Sequence, residues 1–377
     1  MAKRVMLAVA GAGKTYYICH SIDPAKRNLV LAFTHENVFN IQRELIDAFG
    51  AVPKLTTVST FDSFVYHNFI LPYEPSIGAH FGCDQFVSKG ITLIDPPPQR
   101  IKSSSGKPIP NKKYFAKDRL CHYVDGGLRY YCATLSELAL QVKCGKTALV
   151  VRAADRLNLF YDEVSIDEFQ DYRKHDYDLI LKLSKALNSV TLVGDFFQHS
   201  VSGKNNSGKP FTKGKTEIGY REFLGRLEKE GFEIDEITLN ESRRCSPAVC
   251  SFVSEKLGIG ITSSGDCNGE VIWVEENPNA ILSDDRIIKL VYKDSDRYAF
   301  RSVNWSYSKG DTMNATCVVL TDAFEKMQED DFSLEGVSRA TINKLYVALT
   351  RSRGNMYLIR ASVFKTVRDR YIQSRKR

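Results

Sequence analysis

The chain has 377 residues, 43% of them apolar and 26% charged, with a formal net charge of +7. That length exceeds one domain, so two or three lobes are expected, and no stretch approaches the roughly 20 apolar residues of a membrane span, which argues against a membrane partner. Nine cysteines lie scattered without a C-x-x-C pair or a histidine at zinc spacing, which excludes a disulfide scaffold or zinc module and predicts reduced thiols in a cytoplasmic protein.

Strand patterning starts at Arg4 and runs to Val9, so no leader peptide is expected. Thr15–His20 reads as the first turns of a helix. Between them Ala8 to Thr15 (AVAGAGKT) fits the phosphate-loop pattern [AG]-x4-G-K-[ST]. A small-residue loop between strand and helix lets the backbone N–H groups of Ala10, Gly11, Ala12 and Gly13 close around phosphate oxygens. Lys14 then reaches the β- and γ-phosphates, and Thr15 can hold Mg²⁺. Three partial matches lack that context. Gly203–Lys209 ends in Pro210, which offers no hydroxyl. Gly145-Lys146-Thr147 and Gly214-Lys215-Thr216 lack the leading small residue, so all three read as loops.

Asn28–Phe33 is a second buried strand. Thr34–Asn37 caps a helix running to Phe49, and Leu55–Ser59 is a third strand followed by Thr60–Phe64. From about 66 to 150 the pattern breaks down: a proline run (Pro96–Pro98), a polar run (Lys102–Lys107), then helix-like patterning from Leu120 to Val142. This reads as an insertion of mixed structure. Within it Lys112, Lys113, Lys117 and Arg119 flank Tyr114 and Phe115. That mix suits backbone contact and base stacking, or equally a small core of the insertion itself. Strand patterning returns at Tyr161–Ile166, a helix follows over Lys174–Leu187, and Ser189–Val193 is another strand. The alternation predicts a parallel, doubly wound α/β sheet.

The second half repeats the alternation, with strands at Glu236–Leu239, Glu270–Val274, Arg286–Val291, Ala315–Leu320 and Asn355–Ile359. Helices are expected at Pro247–Leu257 and Ser338–Thr350. A boundary between two sheets is placed near 230–236. Two segments are strongly basic: Lys204, Lys209, Lys213 and Lys215 in a Gly/Ser/Asn-rich stretch, and the tail from Lys365 to Arg377. Each is a solvated segment or a nucleic-acid contact.

The acids Asp167 and Glu168 follow a buried strand. An Asp there can hold Mg²⁺ with the Thr15 hydroxyl, and the adjacent Glu can take a proton from attacking water. Gln198 follows the next strand, in reach of a γ-phosphate. Arg244 at a strand–helix junction and Arg351 late on a helix supply planar, permanently charged groups suited to phosphate.

Taken together these segments resemble the UvrD/Rep/PcrA-like superfamily 1 helicases, with the motifs in family order. Ala8–Thr15 is similar to motif I, Phe33–Asn37 to motif Ia, Thr60–Phe64 to the T-F-H-S-F segment, and Asp167–Asp171 (DEFQD) to motif II. Val193–Gln198 is similar to motif III, Leu239–Arg244 to motif IV, Ser308–Thr312 to motif V, and Val347–Arg351 (VALTR) to motif VI. The resemblance implies two RecA-like parallel-sheet P-loop domains, 1–232 with an insertion at about 66–150 and 233–377, with ATP at their interface. It implies Lys14, Thr15, Asp167 and Glu168 at the phosphates and Mg²⁺, with Gly310 in the nucleotide set. Gln198 would couple phosphate to strand, and Arg244 and Arg351 would sense phosphate. Thr34, His35, Thr60, Phe61, Ser308 and Lys309 would lie along single-stranded DNA. The expected activity is an ATP-dependent translocase or helicase. The alternatives are a nucleic-acid-stimulated ATPase switch, a motor that needs a protein partner for duplex targeting, and an RNA substrate.

The chain departs from the family in four ways. No segment before the loop supplies the usual adenine-reading glutamine. No aromatic follows Gln198 in the stretch to Lys204. Thr312 stands where the family has glutamate, and only about 60 residues separate Arg244 from Ser308. This is a minimal version of the family.

Overall fold

The computed structural model describes residues 2–199, 210–214 and 216–373. Lys204, Lys209, Lys215 and the last basic residues of the tail, with the partial match at 203–209, lie outside them. The described residues form an α/β protein with two main sheets, and the chain divides by contacts into two compact units. The described parts of Met1–Val5, Thr15–Val193 and Val201–Ile234 make the first unit. Met6–Lys14, Gly194–Ser200 and Asp235–Arg377 make the second.

The larger sheet draws on β1 (Ala2–Ala8), β2 (Asn28–Ala32) and β3 (Thr56–Thr60). The helices α1 (Lys14–His20), α2 (His35–Phe49) and α3 (Phe61–Val65) follow these strands in turn. Between β3 and the next sheet strand lie the residues read as an insertion. They hold a small ribbon, β4 (Arg100–Lys102) against β5 (Pro108–Pro110), and then α4 (Leu135–Gln141) and α5 (Leu149–Phe160). The helix expected over Leu120–Val142 is interrupted. Residues 120–122 form one 3₁₀ turn and 130–131 a short strand before α4 begins. Gly126 and Gly127, both poor helix formers, sit in the break. Gly145 lies at φ +64 in a two-stranded hairpin, Lys143–Cys144 against Thr147–Ala148, so that partial phosphate-loop match is a turn.

The sheet resumes with β6 (Glu163–Asp167), followed by α6 (Lys174–Ser184), β7 (Ser189–Gly194) and β8 (Glu233–Leu239). Its order is β8-β1-β7-β6-β2-β3. The strand expected to open the second sheet, β8, is therefore the edge of the first, next to β1. β2 is buried along its whole length and pairs in parallel with both β6 and β3. That is why it reads as an unbroken apolar run rather than an alternating one.

The second unit carries α7 (Pro247–Leu257) and the parallel strands β9 (Val271–Trp273), β10 (Ile288–Val291), β11 (Ser302–Asn304) and β12 (Thr316–Val319). It continues with α8 (Arg339–Leu349), β13 (Met356–Ile359) and α9 (Ala361–Val367). The order is β9-β13-β12-β10-β11. Both sheets show the RecA-like pattern, in which the later strands insert beside the first. Leu282, Val291, Cys317, Ile359 and Phe364 pack together in the core of the second unit. All nine cysteines are free thiols. Among the described residues no helix is long and apolar enough to cross a membrane.

The β9–β13 pairing is entered through two glycines. A Cβ on Gly269 would lie 2.3 Å from the Gly354 carbonyl oxygen. That neighbour is backbone and cannot step aside. Gly269→Ala should therefore destabilise the protein by about 1–3 kcal/mol, as overpacking does. The check is a lower thermal midpoint, with Gly260→Ala, where a Cβ meets open space, as the control.

Candidate nucleotide site

The loop from Ala8 to Lys14 is built by two glycines and held by its neighbours. Gly11 and Gly13 lie at φ +77 and +83, a region other residues reach only with strain. The Ala12 N–H donates to the Val9 carbonyl at 3.2 Å, closing a tight turn, and the Val9 N–H donates to Leu239 O at 2.9 Å. The Arg243 N–H donates to the Gly11 carbonyl at 3.0 Å. A Cβ on Gly11 would stand 2.6 Å from the Arg244 Cβ and 2.8 Å from Ser242 Oγ. Glycine is thus required there twice over, by torsion and by space.

A buried tyrosine fixes the same loop. The Ala10 N–H donates to the Tyr346 hydroxyl at 2.9 Å, and that hydroxyl donates to Asp195 Oδ2 at 3.2 Å. Gln198 Nε2 donates to the same carboxylate oxygen at 2.9 Å. Burial first, then the Asp195 charge, raises the Tyr346 phenol well above its usual pKa, so it stays a proton donor. The sequence reading did not assign Tyr346 or Asp195. The usable signal was a tyrosine on an otherwise apolar helix face, whose hydroxyl needs a partner once buried.

In the first unit the acidic turn follows β6 directly. Asp167 is 2% exposed. Its Oδ1 accepts the Glu168 N–H at 2.9 Å, and its Oδ2 faces Thr15 Oγ1 at 3.5 Å. These two hard oxygens suit a shared divalent cation. Among the described residues no group of three His, Cys, Asp or Glu gathers to hold a metal. A cation here would therefore complete its shell with phosphate and water, as Mg²⁺ does. Glu168 stands at φ +51, a left-handed conformation uncommon for a residue with a side chain. Gln170 Nε2 donates to its Oε2 at 2.5 Å.

Next to this turn, Tyr172 and Arg173 tie three loops together. The Tyr172 ring meets Phe33 and Phe61 edge-on, at centroid distances of 5.4 and 4.8 Å. The Arg173 guanidinium donates to Asp62 Oδ1 at 2.9 Å and to Asp176 Oδ2 at 2.6 Å. Asp62 occupies the position where the T-F-H-S-F pattern has histidine, and the carboxylate gives Arg173 its second partner.

Thr34 and His35 are exposed, with the Thr34 hydroxyl capping α2 at the Asn37 N–H, 3.1 Å away. Thr60 caps α3 at Ser63 N. Phe61 differs from expectation: it is 1% exposed, and its ring packs against Tyr172 and Phe64. Ser308 is also fully buried, donating to Trp305 O at 2.8 Å. These two residues have packing roles rather than open faces. Lys309 Nζ donates to Gln198 O at 3.3 Å, and Gly310 turns the chain at φ +91. Arg244 Nε donates to Thr312 Oγ1 at 2.9 Å, so Thr312 is a neutral partner of that guanidinium. Arg351 is 1% exposed and donates to Val347 O at 2.8 Å, to Ser308 O and Asp311 O at 3.4 Å, and to Thr350 Oγ1 at 3.2 Å. Burial, then repulsion from Arg244, lowers its pKa to about 10.

No family model and no curated protein matches the chain. Solved structures similar to it include an arterivirus nonstructural protein 10 (helicase) in complex with DNA, at 14% identity over 94% of this chain and 60% of that one, TM-score 0.47. A second arterivirus nonstructural protein 10 (helicase) aligns at 13% identity over 94% and 59%, TM-score 0.43. A PRRSV helicase aligns at 13% identity over 98% and 54%, TM-score 0.44. The chain spans between 54% and 60% of the length of these structures. Such weak likenesses bear on no residue assignment.

Two substitutions test this architecture. Tyr346→Phe leaves the buried Ala10 N–H without its acceptor, so stability should fall by about 1–3 kcal/mol, read by denaturant unfolding. Asp62→Ala leaves Arg173 with Asp176 alone and should lower the midpoint, while Asp62→Glu should recover most of the loss.

Proposed function

We propose that this chain is an ATP hydrolase of the superfamily 1 helicase type, UvrD/Rep/PcrA-like in its motifs, that couples hydrolysis to movement on single-stranded DNA. The observation that carries the reading is Thr15 Oγ1 facing Asp167 Oδ2 at 3.5 Å, with Glu168 turned into the left-handed region beside them. A hydroxyl directly after Lys14, a buried carboxylate and a second, half-buried carboxylate are the parts that triphosphate hydrolysis requires. RecA-like domains at 1–232 and 233–377, the second lending β8 to the edge of the first sheet, are part of the same reading.

Bound MgATP would supply the phosphoanhydride and the cation that offsets its charge. The protein's part follows from its own groups. Lys14 neutralises charge on the outer phosphates, and the loop N–H groups other than those of Ala10 and Ala12, which donate to Tyr346 and Val9 and so depart from the expected cradle, orient them. Thr15 and Asp167 present oxygens to the cation. Glu168 accepts the proton of the attacking water, with Gln170 donating to its Oε2 and orienting the carboxylate. Gln198, hydrogen-bonded to Asp195, is the residue proposed to respond to the γ-phosphate. Arg244 and Arg351 are the cations proposed to sense phosphate, and Thr34, His35, Thr60 and Lys309 the polar contacts to a strand.

Lys14→Ala should lose most triphosphate affinity. Glu168→Gln should bind ATP at near-parent affinity and hydrolyse it on the order of 10²–10⁴ more slowly, the usual contribution of a general base. Parent-like hydrolysis in both variants would refute the site. Arg351→Lys keeps a charge in the buried pocket but loses the planar fork, so kcat should fall more than KM rises. ATPase rates with single-stranded DNA, duplex and RNA, together with a strand-displacement assay, identify the substrate. Strand-stimulated hydrolysis without displacement would instead give the switch reading.

A further inference from the structure

Between Asp95 and Asp118 there is no acidic residue, while Arg100, Lys102, Lys107, Lys112, Lys113 and Lys117 are all basic. That is nearly the whole net charge of +7 carried on a short stretch. The structure shapes it into an arm. β4 and β5 pair antiparallel, with Ile101 opposite Ile109, and all six of their residues are exposed. The turn closes with the Ser103 N–H donating to Lys107 O at 2.8 Å and the Gly106 N–H donating to Ser103 O at 2.9 Å. At the base, the Asn111 N–H and Nδ2 donate to Gln99 O and Pro98 O at 3.0 and 2.9 Å. His122 Nδ1 donates to Phe115 O at 2.7 Å, and Gln141 Nε2 donates to Lys117 O at 2.9 Å, which fastens the chain beyond the ribbon to the body of the unit. Lys117 itself pairs with the buried Glu137. The other five cations form no ion pair among the described residues.

This arrangement restricts the partner. Pro108 and Pro110 leave the outer edge of β5 without an N–H to offer, so that edge resists extension by another strand. Recognition there comes through side chains. Three unpaired cations on a two-stranded ribbon and its turn, with two more just beyond it, match a regular polyanion, and the B-form major groove, about 12 Å wide, admits such a ribbon. Tyr114 is half-buried with its ring edge-on to His122, which leaves Phe115 as the exposed aromatic of the stretch. The arm is therefore poorly equipped to stack a series of unpaired bases and well equipped to bind phosphates.

We infer that the β4–β5 ribbon and the lysines after it form a duplex-DNA-binding arm, which holds double-stranded DNA through its backbone separately from the single-strand path. The inference deepens the proposed function and rests on it for the role of the arm in a motor, but not for the binding itself.

The test compares the full chain with a variant carrying Arg100→Gln, Lys102→Gln, Lys107→Gln, Lys112→Gln and Lys113→Gln, all at exposed positions, and with the milder pair Lys102→Glu and Lys107→Glu. Binding to a blunt 20-bp duplex, a 20-nucleotide single strand and phosphatidylserine vesicles is measured across salt. Each lost phosphate contact removes about 0.9 from the log–log salt slope for duplex. The fivefold variant should flatten the duplex slope by about 2 or more and weaken duplex binding at least about tenfold at low salt. Single-strand affinity and strand-stimulated ATPase should stay within about twofold of parent. Unchanged duplex binding overturns the inference. So does an equal loss for duplex and single strand, or a loss confined to the vesicles. A parent protein whose ATPase ignores single strands sinks the proposed motor, yet the duplex arm still decides the ribbon.

Discussion

Parallel pairing of β6, β2 and β3 is the constraint from which the candidate site follows. In a parallel sheet every strand ends on the same side, so the segments that leave these strands emerge together. The register makes this specific: Leu31 pairs with Ile166, and Ala32 pairs with Thr60. One residue beyond these pairs come Phe33, Asp167 and Phe61. Three stretches far apart in sequence thus meet within a few ångströms, and Tyr172 packs its ring between the two phenylalanines. Arg173 then joins Asp62 to Asp176, placing charge where the aromatic contacts end. Without the register there would be an acidic turn and two polar turns, but no shared structure.

The loop from Ala8 to Lys14 depends on a second kind of constraint, the satisfaction of buried polar groups. A loop that offers N–H groups to a ligand must keep its remaining backbone groups paired. Tyr346 accepts from Ala10, Gly11 accepts from Arg243, and Leu239 accepts from Val9. The loop is rigid because side chains and backbone remote in sequence complete it. Glu168 is the counter-example, held in an unfavourable backbone conformation beside the acid that would share its chemistry. Strain at such a position persists only where the surroundings over-determine it. Here the Asp167 and Gln170 hydrogen bonds do so.

The insertion follows different physics. Its ribbon is two short strands with no buried face, which could not stand alone. It persists because Asn111 closes its base on Pro98 and Gln99, while His122 and Gln141 tie Phe115 and Lys117, just beyond it, to the body of the unit. Side chains at its tip have no packing role, and charge repulsion there is tolerable only in water or against a polyanion. The contrast with Glu137, whose charge is buried, is direct. Burial disfavours that carboxylate, yet the adjacent His122 imidazole and the pairing with Lys117 lower its pKa to about 2.

The sequence alone determined the features that local physics encodes. The glycines at 11 and 13, the apolar run of β2, the cap at Thr34, and the acids after β6 are legible because each is fixed within a few residues of itself. So was the alternation that makes the fold α/β. Only the tertiary structure decided what long-range pairing sets. It moved β8 to the edge of the first sheet, since an amphipathic strand carries no mark of which sheet it joins. It turned Phe61 and Ser308 inward, because burial depends on what packs above a turn and not on the turn itself. It also gave Tyr346 a place behind the phosphate loop, across more than 300 residues of chain. No local pattern records a hydrogen bond made over that separation, because its two partners meet only once the chain is folded.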